Sequence, residues 1–106
     1  MTKRKRPPTK VRRRRAFPHA EDHELKAELV REIARTMMEK ALTQQAAARM
    51  LRIGQPDVSK MLRGHFRQFS AERLMRFLVR LGREIEIALR PVPHGTKITV
   101  TARDPV

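Results

Sequence analysis

The stretch that decides the fold is LTQQAAARMLRIGQPDVSKMLRG, which runs from Leu42 to Gly64. Thr43 is a favourable N-cap for a helix over residues 44–51, because its hydroxyl can accept from an early backbone N–H. Residues 52–54 then form a corner, and Pro56 fits the first turn of a second helix, where the early N–H groups lack helical partners. Gly64 suits the end of that helix. The stretch therefore predicts two short helices joined by a tight turn.

The second helix of this pair has one apolar and one polar side. Val58, Met61 and Leu62 follow at i, i+3 and i+4, so they share a face that we expect to be buried. The opposite face is polar and would lie outside. This layout predicts a helix-turn-helix, in which the second helix is presented to the major groove of DNA.

Helices are also predicted on both sides of this pair. Residues 20–40 carry Leu25, Leu29, Ile33 and Met37 at every fourth position, a stripe that Val30, Ala34 and Met38 widen. Ser70 would cap a further helix that ends at Leu81, with Leu74, Phe77 and Leu78 in the core. Met50 and Leu51 give the helix over residues 44–51 its apolar side.

The last part of the chain changes to a period of two. In EIEIALR the apolar residues Ile85, Ile87 and Leu89 alternate with polar ones, and KITVT places Ile98 and Val100 on one face. PVPHG, residues 91–95, is the predicted turn, and residues 103–106 are expected to fray. An isolated hairpin is marginal in water, so this one needs a covering surface. Its own helices and a second subunit are both candidates.

The charge of the chain indicates a polyanionic partner. Its 106 residues hold 25 Lys and Arg against 11 Asp and Glu, a formal charge of +14. Nine of the basic residues lie within residues 1–15, which contain no acid. Nucleic acid is the first partner to consider and an anionic membrane surface the second. We divide the chain into a disordered basic arm (1–19), a helix-turn-helix domain (20–82) and a C-terminal hairpin (83–106), which is the expected dimerisation element.

Several other classes of function find no support in the sequence. The chain has no cysteine, which excludes disulfides and thiolate chemistry and fits a reducing cytosol. No apolar run approaches the ~20 residues of a membrane helix. The four histidines show no ligand spacing, and neither a catalytic triad order nor a glycine-rich phosphate loop occurs. We therefore expect no enzyme, no cofactor, no metal site and no membrane association.

The quoted stretch resembles the Cro/CI-type (Xre) helix-turn-helix, whose usual form is L-T-Q-x-x-x-A-x-x-L-G-V-S-Q-x-x-[IV]-S-x-x-x-x-G. The chain departs from this form at two places, with Arg52 at the usual corner glycine and Gly54 at the usual serine cap. Arg52 must then accept a left-handed backbone at a cost of about 1 kcal/mol. The resemblance implies a mainly α, lambda-repressor-like domain of four to five helices, followed by a two-stranded β segment. The matching positions are Leu42, Thr43, Gln44, Ala48, Leu51, Ile53, Gln55, Val58, Ser59 and Gly64.

The same resemblance implies which residues contact DNA. Gln44, Arg52, Arg63 and Arg67 would contact the phosphate backbone. On the outer face of the second helix, Gln55 would pair with adenine and Lys60 with guanine. The remaining residues of that face are Pro56 (a thymine methyl), Asp57 (a cytosine amine, or a helix cap) and Ser59.

The continuation FRQFSAERLMRFLVRLGREIEIALRP looks like that of HigA-like antitoxins of type II toxin–antitoxin pairs, in which a strand with alternating Ile and Val follows the helices. This implies a homodimeric, sequence-specific repressor of double-stranded DNA in the bacterial cytoplasm, associated with the nucleoid. Such a protein would also bind a RelE/HigB-like toxin and repress its own operon. Two alternatives stay open: an antitoxin that acts mainly by binding its toxin, and a non-specific nucleic-acid binder driven by the basic arm.

Overall fold

The computed structural model describes residues 19–106, and side chains from Asp22 onward. Four helices precede a two-stranded antiparallel sheet, so the mainly helical fold predicted from the sequence is confirmed. The predicted basic arm lies outside the described residues except for His19, which belongs to the first helix instead. The elements are α1 (His19–Glu39), α2 (Gln44–Leu51), α3 (Gln55–Leu62), α4 (Ala71–Arg80), β1 (Glu84–Val92) and β2 (Gly95–Arg103).

The core lies between α1, the helix pair and α4. The predicted stripe of α1 is buried at Leu25, Leu29, Ile33 and Met37. Met38, expected to widen that stripe, is 81% exposed. The reason is helical geometry: a residue nine positions after Leu29 lies on the opposite side of a helix with 100° per residue. Met50 is likewise half-exposed on the outer side of α2, so the apolar side of that helix consists of Ala47, Ala48 and Leu51.

The segment between α3 and α4 adds two aromatic rings to the core. Phe66 and Phe69 are both buried, and Phe69 meets Phe77 of α4 edge to face, with ring centroids 5.5 Å apart. The Ser70 hydroxyl accepts from the Arg73 backbone N–H at 3.1 Å, which confirms the predicted cap of α4. Through these contacts the chain that leaves α3 is anchored to α4.

The hairpin turns more tightly than predicted. β1 continues through Pro91 to Val92, which pairs with Gly95, so only Pro93 and His94 form the turn, and not residues 91–95. Ile98, Val100 and Ala102 of β2 are buried, and they pack on α1. The helices of the same chain therefore cover this face of the hairpin. Leu89 was expected on the covered face, yet it is 49% exposed, because α1 lies over β2 and leaves this part of β1 outside.

A polar network fixes the end of β2 to α1. Arg83, only 7% exposed, donates to Thr36 Oγ1 at 3.1 Å, to Asp104 Oδ1 at 2.9 Å and to the Glu39 carboxylate. Arg103 pairs with Glu84 across the sheet. The expectation that residues 103–106 fray is therefore wrong for the first two of them, because each has a partner distant in sequence.

Candidate nucleic-acid interface

The corner between α2 and α3 is built by backbone geometry. Arg52 has φ 61° and ψ 43°, the left-handed conformation expected at this position, and its N–H donates to the carbonyl of Ala48. The Ile53 N–H donates to the same carbonyl at 3.1 Å. Gly54 is the N-cap of α3 in an extended conformation and, having no side chain, leaves the cap unfilled. The chain thus leaves α2 and re-enters a helix within three residues.

Two contacts hold the helix pair in place on the rest of the domain. The Thr43 hydroxyl accepts from the Ala46 backbone N–H at 3.0 Å and caps α2 as predicted. At the other end of α2, the Arg80 guanidinium donates to the Leu51 carbonyl at 3.0 Å. Because Arg80 belongs to α4, the corner is fastened to the helix that follows the pair.

α3 presents the polar face predicted for it. Val58 and Met61 are fully buried and Leu62 partly so, which fixes the rotation of the helix. On the outer side, Gln55, Pro56, Lys60 and Arg63 are exposed, whereas Asp57 and Ser59 are half-buried. Asp57 lies in the first turn, where a carboxylate is favoured by the helix dipole.

The two glutamines of the predicted site touch each other. Gln55 Nε2 donates to Gln44 Oε1 at 2.7 Å, which links the first residue of α3 to the first residue of α2. This bond leaves the Gln44 amide N–H groups free to donate. It also leaves Gln55 with a free carbonyl oxygen and one free N–H. The pair therefore offers donors at the start of α2 and a donor–acceptor set at the start of α3.

The predicted arginines are placed differently from one another. Arg63 Nη1 donates to the Ser59 hydroxyl at 3.1 Å along the outer side of α3. Arg52 is exposed at the corner. Arg67 lies further along the chain and lines an open cleft with Asp22, His23 and Lys26 of α1.

Sequence reasoning missed the three α1 residues that join Arg67 in this cleft. His23 stacks on Phe66, with ring centroids 5.2 Å apart, and Lys26 lies 3.5 Å from the Asp22 carboxylate. No local pattern in the sequence brings α1 to a loop some forty positions later, so only the packing of Phe66 shows the neighbourhood.

Residues 19–106 contain no cluster of three or more His, Cys, Asp or Glu side chains that could hold a metal ion. None of the helices described here is long and apolar enough to span a membrane.

Comparison with known proteins agrees with this geometry. The family model described as "Helix-turn-helix domain" matches residues 15–90, a range that contains the whole of α1 to α4 and most of β1. A solved structure described as a "Putative XRE Family Transcriptional Regulator" is 36% identical to this chain. The similarity covers 73% of this chain and 86% of that one, with a TM-score of 0.63. No curated protein matches the chain.

Proposed function

We propose that this chain is a sequence-specific repressor that binds double-stranded DNA as a homodimer. The premise is that the chain belongs to the XRE-type helix-turn-helix family of DNA-binding transcriptional regulators. The observation that carries the proposal is the outer side of α3. Gln55 and Lys60 are exposed there, five residues apart, and the buried Val58 and Met61 on the opposite side fix the orientation of the helix. A buried Gln55 or Lys60 would have removed the basis for base contact.

Base recognition would start from the glutamine pair. Adenine offers a donor and an acceptor to the major groove, the amine at N6 and the ring nitrogen N7. Gln55 keeps one acceptor and one donor after it has bonded to Gln44, so it can still form both bonds to adenine. Gln44 would meanwhile donate to a phosphate at the N-terminus of α2, where the backbone N–H groups already favour an anion.

The other outward residues of α3 would complete the reading. Lys60 can donate to O6 and N7 of guanine, and Pro56 can contact a thymine methyl group. Asp57 would accept from a cytosine amine, and Ser59, half-buried beside Arg63, would position that arginine. Each of these residues would therefore contribute to the recognition of one base pair or of the base pair next to it.

The cations around the helix would hold the phosphate backbone. Arg52 at the corner, Arg63 at the end of α3 and Arg67 in the loop are all exposed. Such contacts add affinity for any duplex and fix the register, but they do not read sequence. The charge of residues 1–15 would add to this general affinity.

The test begins with selection of a preferred site from a random duplex library by the full chain. Fluorescence anisotropy at one fixed salt concentration then compares the selected duplex with a scrambled one. We expect the selected site to bind at least ~10³-fold more tightly. Equal affinities, lost together as salt rises, would instead identify a non-specific polyanion binder and contradict the proposal.

Two alanine variants separate the roles within α3. Lys60→Ala should reduce the preference for the guanine position, whereas Arg63→Ala should weaken selected and scrambled duplexes by the same factor. Both side chains are exposed on one helix, so each serves as the control for the other. Loss of site preference on Arg63→Ala alone would contradict this assignment.

The finer assignment is that of an antitoxin of a type II toxin–antitoxin pair, which represses its own operon. It is supported by the resemblance of residues 66–91 and by a hairpin with alternating isoleucines that follows four helices. The partner would be a RelE/HigB-like toxin, and the protein would act without catalysis, at the nucleoid in the bacterial cytoplasm. Co-expression with the adjacent open reading frame should yield a stable complex that binds the operon's own promoter. A neighbour that is neither toxic nor co-purified would leave a plain repressor.

A further inference from the structure

β1 has a backbone edge that the described residues leave open. The hydrogen bonds of Ala102 in β2 show the direction of its backbone groups. Its N–H donates to Glu32 at 3.2 Å and its carbonyl accepts from Arg35 at 2.7 Å. Both groups therefore point away from β1. Backbone direction alternates along an antiparallel pair, and Ile85 lies opposite Ala102, so Ile85, Ile87 and Leu89 point their backbone groups away from β2.

The two edges of the sheet are consequently unequal. At Ala102 the β2 edge is occupied by side chains of α1. Along β1, within the part of the chain that the structure describes, no hydrogen bond reaches the outward N–H and C=O groups of Ile87 or Leu89. Pro91, which has no N–H, falls at an outward position, as proline does on an edge strand. An edge of this kind is a template for another strand.

The side chains on the outer face of the hairpin are divided by charge. Arg90 lies directly opposite Lys97 near the turn, and among the described residues neither forms an ion pair. Like charges directly opposite each other destabilise a strand pair. The acids of this face, Glu84 and Glu86, lie at the other end of the sheet, near Arg103. The hairpin thus has one basic end and one end that carries its carboxylates.

We propose that the open edge of β1 pairs antiparallel with the β1 of a second copy of this chain, about a two-fold axis at Ala88. In that register Glu86 lies opposite Arg90 of the second copy, and the contact occurs twice. A carboxylate thereby reaches the Arg90–Lys97 pair. The result is a continuous four-stranded sheet in the order β2-β1-β1-β2.

The same register satisfies the backbone and the apolar side chains. Ile87 and Leu89 of the second copy exchange their two outward hydrogen bonds, as a hydrogen-bonded antiparallel pair does. Their side chains become neighbours on the inner face, which covers the half-exposed Leu89. Ala88 meets its own copy as a non-hydrogen-bonded pair, the closer of the two kinds, where a small side chain fits.

This inference rests on the proposed homodimer and specifies its interface. The test is sedimentation velocity of the full chain without DNA, at physiological ionic strength. We expect the wild type to form a dimer. Glu86→Lys and Arg90→Glu should each raise the dimer dissociation constant at least about tenfold, because both symmetry-related contacts change from attraction to repulsion.

Mixing the two variants is the sharper experiment. A chain with Glu86→Lys and a chain with Arg90→Glu restore opposite charges at both contacts, so an equimolar mixture should form a heterodimer that neither variant forms with itself. Glu84→Lys is the matched control, because Glu84 also lies near Arg103 (4.0 Å, against 3.5 Å for Glu86) but faces Val92 in the proposed register. Its dissociation constant should stay within about twofold of the wild type.

Several outcomes would overturn the interface. These are a monomeric wild type, a dimer that Glu86→Lys and Arg90→Glu leave unchanged, a mixture that stays monomeric, and a larger effect of Glu84→Lys than of Glu86→Lys. Circular dichroism melting of each variant separates loss of pairing from loss of folding. Since the sedimentation contains no DNA, failed operator recognition leaves this result intact, and a monomeric chain leaves base recognition testable.

Discussion

Replacing Arg52 by glycine should raise the free energy of unfolding. With φ 61° and ψ 43°, Arg52 occupies the left-handed region, which costs an L-residue about 1–2 kcal/mol. Glycine avoids that cost but loses about 0.5–1 kcal/mol through the greater freedom of its unfolded chain. The net gain should be about 0.5–1 kcal/mol, or about 2–8 °C in the midpoint of thermal unfolding of a domain of this size.

No other contact complicates this substitution. The Arg52 side chain is exposed and forms no hydrogen bond or ion pair with the described residues, and the backbone bond to Ala48 does not depend on the side chain. Arg49→Gly is the matched control, because Arg49 is an exposed arginine inside α2, the helix that Arg52 follows. There glycine should lower stability by about 1 kcal/mol.

Two measurements on Arg52→Gly separate stability from binding. Circular dichroism melting should show a higher midpoint than the wild type. DNA titration should show weaker binding to selected and scrambled duplexes alike, with a salt slope smaller by about one if Arg52 holds a phosphate. The reasoning about strain is refuted if Arg52→Gly melts at or below the wild-type temperature, or falls as far as Arg49→Gly.

Four further predictions concern other parts of the chain. Deletion of residues 1–15 should flatten the salt dependence of DNA binding and preserve site preference, as measured by anisotropy at several salt concentrations. Gly54→Ser should raise thermal stability by a few tenths of a kcal/mol, because it fills an empty N-cap and its Cβ would lie 3.5 Å from the nearest atom of Pro56. Arg83→Met should cost about 2 kcal/mol in denaturant unfolding, since it removes charge-assisted bonds at a buried site. Asp104→Asn, at a side chain 71% exposed, should cost less than ~1 kcal/mol.

Local patterns were enough to predict the elements of this fold. A four-residue repeat such as Leu25, Leu29 and Ile33 specifies a helix and the face it buries, because both depend only on helical geometry. The left-handed corner at Arg52 was expected from a different source, the resemblance to a family pattern that has glycine at this position, and the structure has φ 61° there. The prediction that Met38 belongs to the buried stripe was wrong, because its angular position on the helix, and not its apolar character, determines which face it occupies.

Contacts between segments distant in the chain could not be predicted from the sequence. Arg83 looked like one more cation in a basic chain, yet it meets Thr36, Glu39 and Asp104, from opposite ends of the domain. The alternation of Ile98 and Val100 predicted a buried face but not its cover, because a period of two carries no information about the partner surface. A helix of the same chain supplies that cover.

In the candidate site, too, the sequence did not predict a contact between two side chains. Each glutamine could be assigned from its position in the helix pair, Gln44 to a phosphate and Gln55 to a base, as if the two acted separately. The bond between their amides joins them into one unit. A shift of the backbone at the start of α2 would then alter the orientation of the Gln55 amide, the group proposed to contact a base. In the proposed complex, affinity for phosphate and choice of base would therefore be coupled at the glutamine pair, whereas Lys60 and Arg63 would act separately.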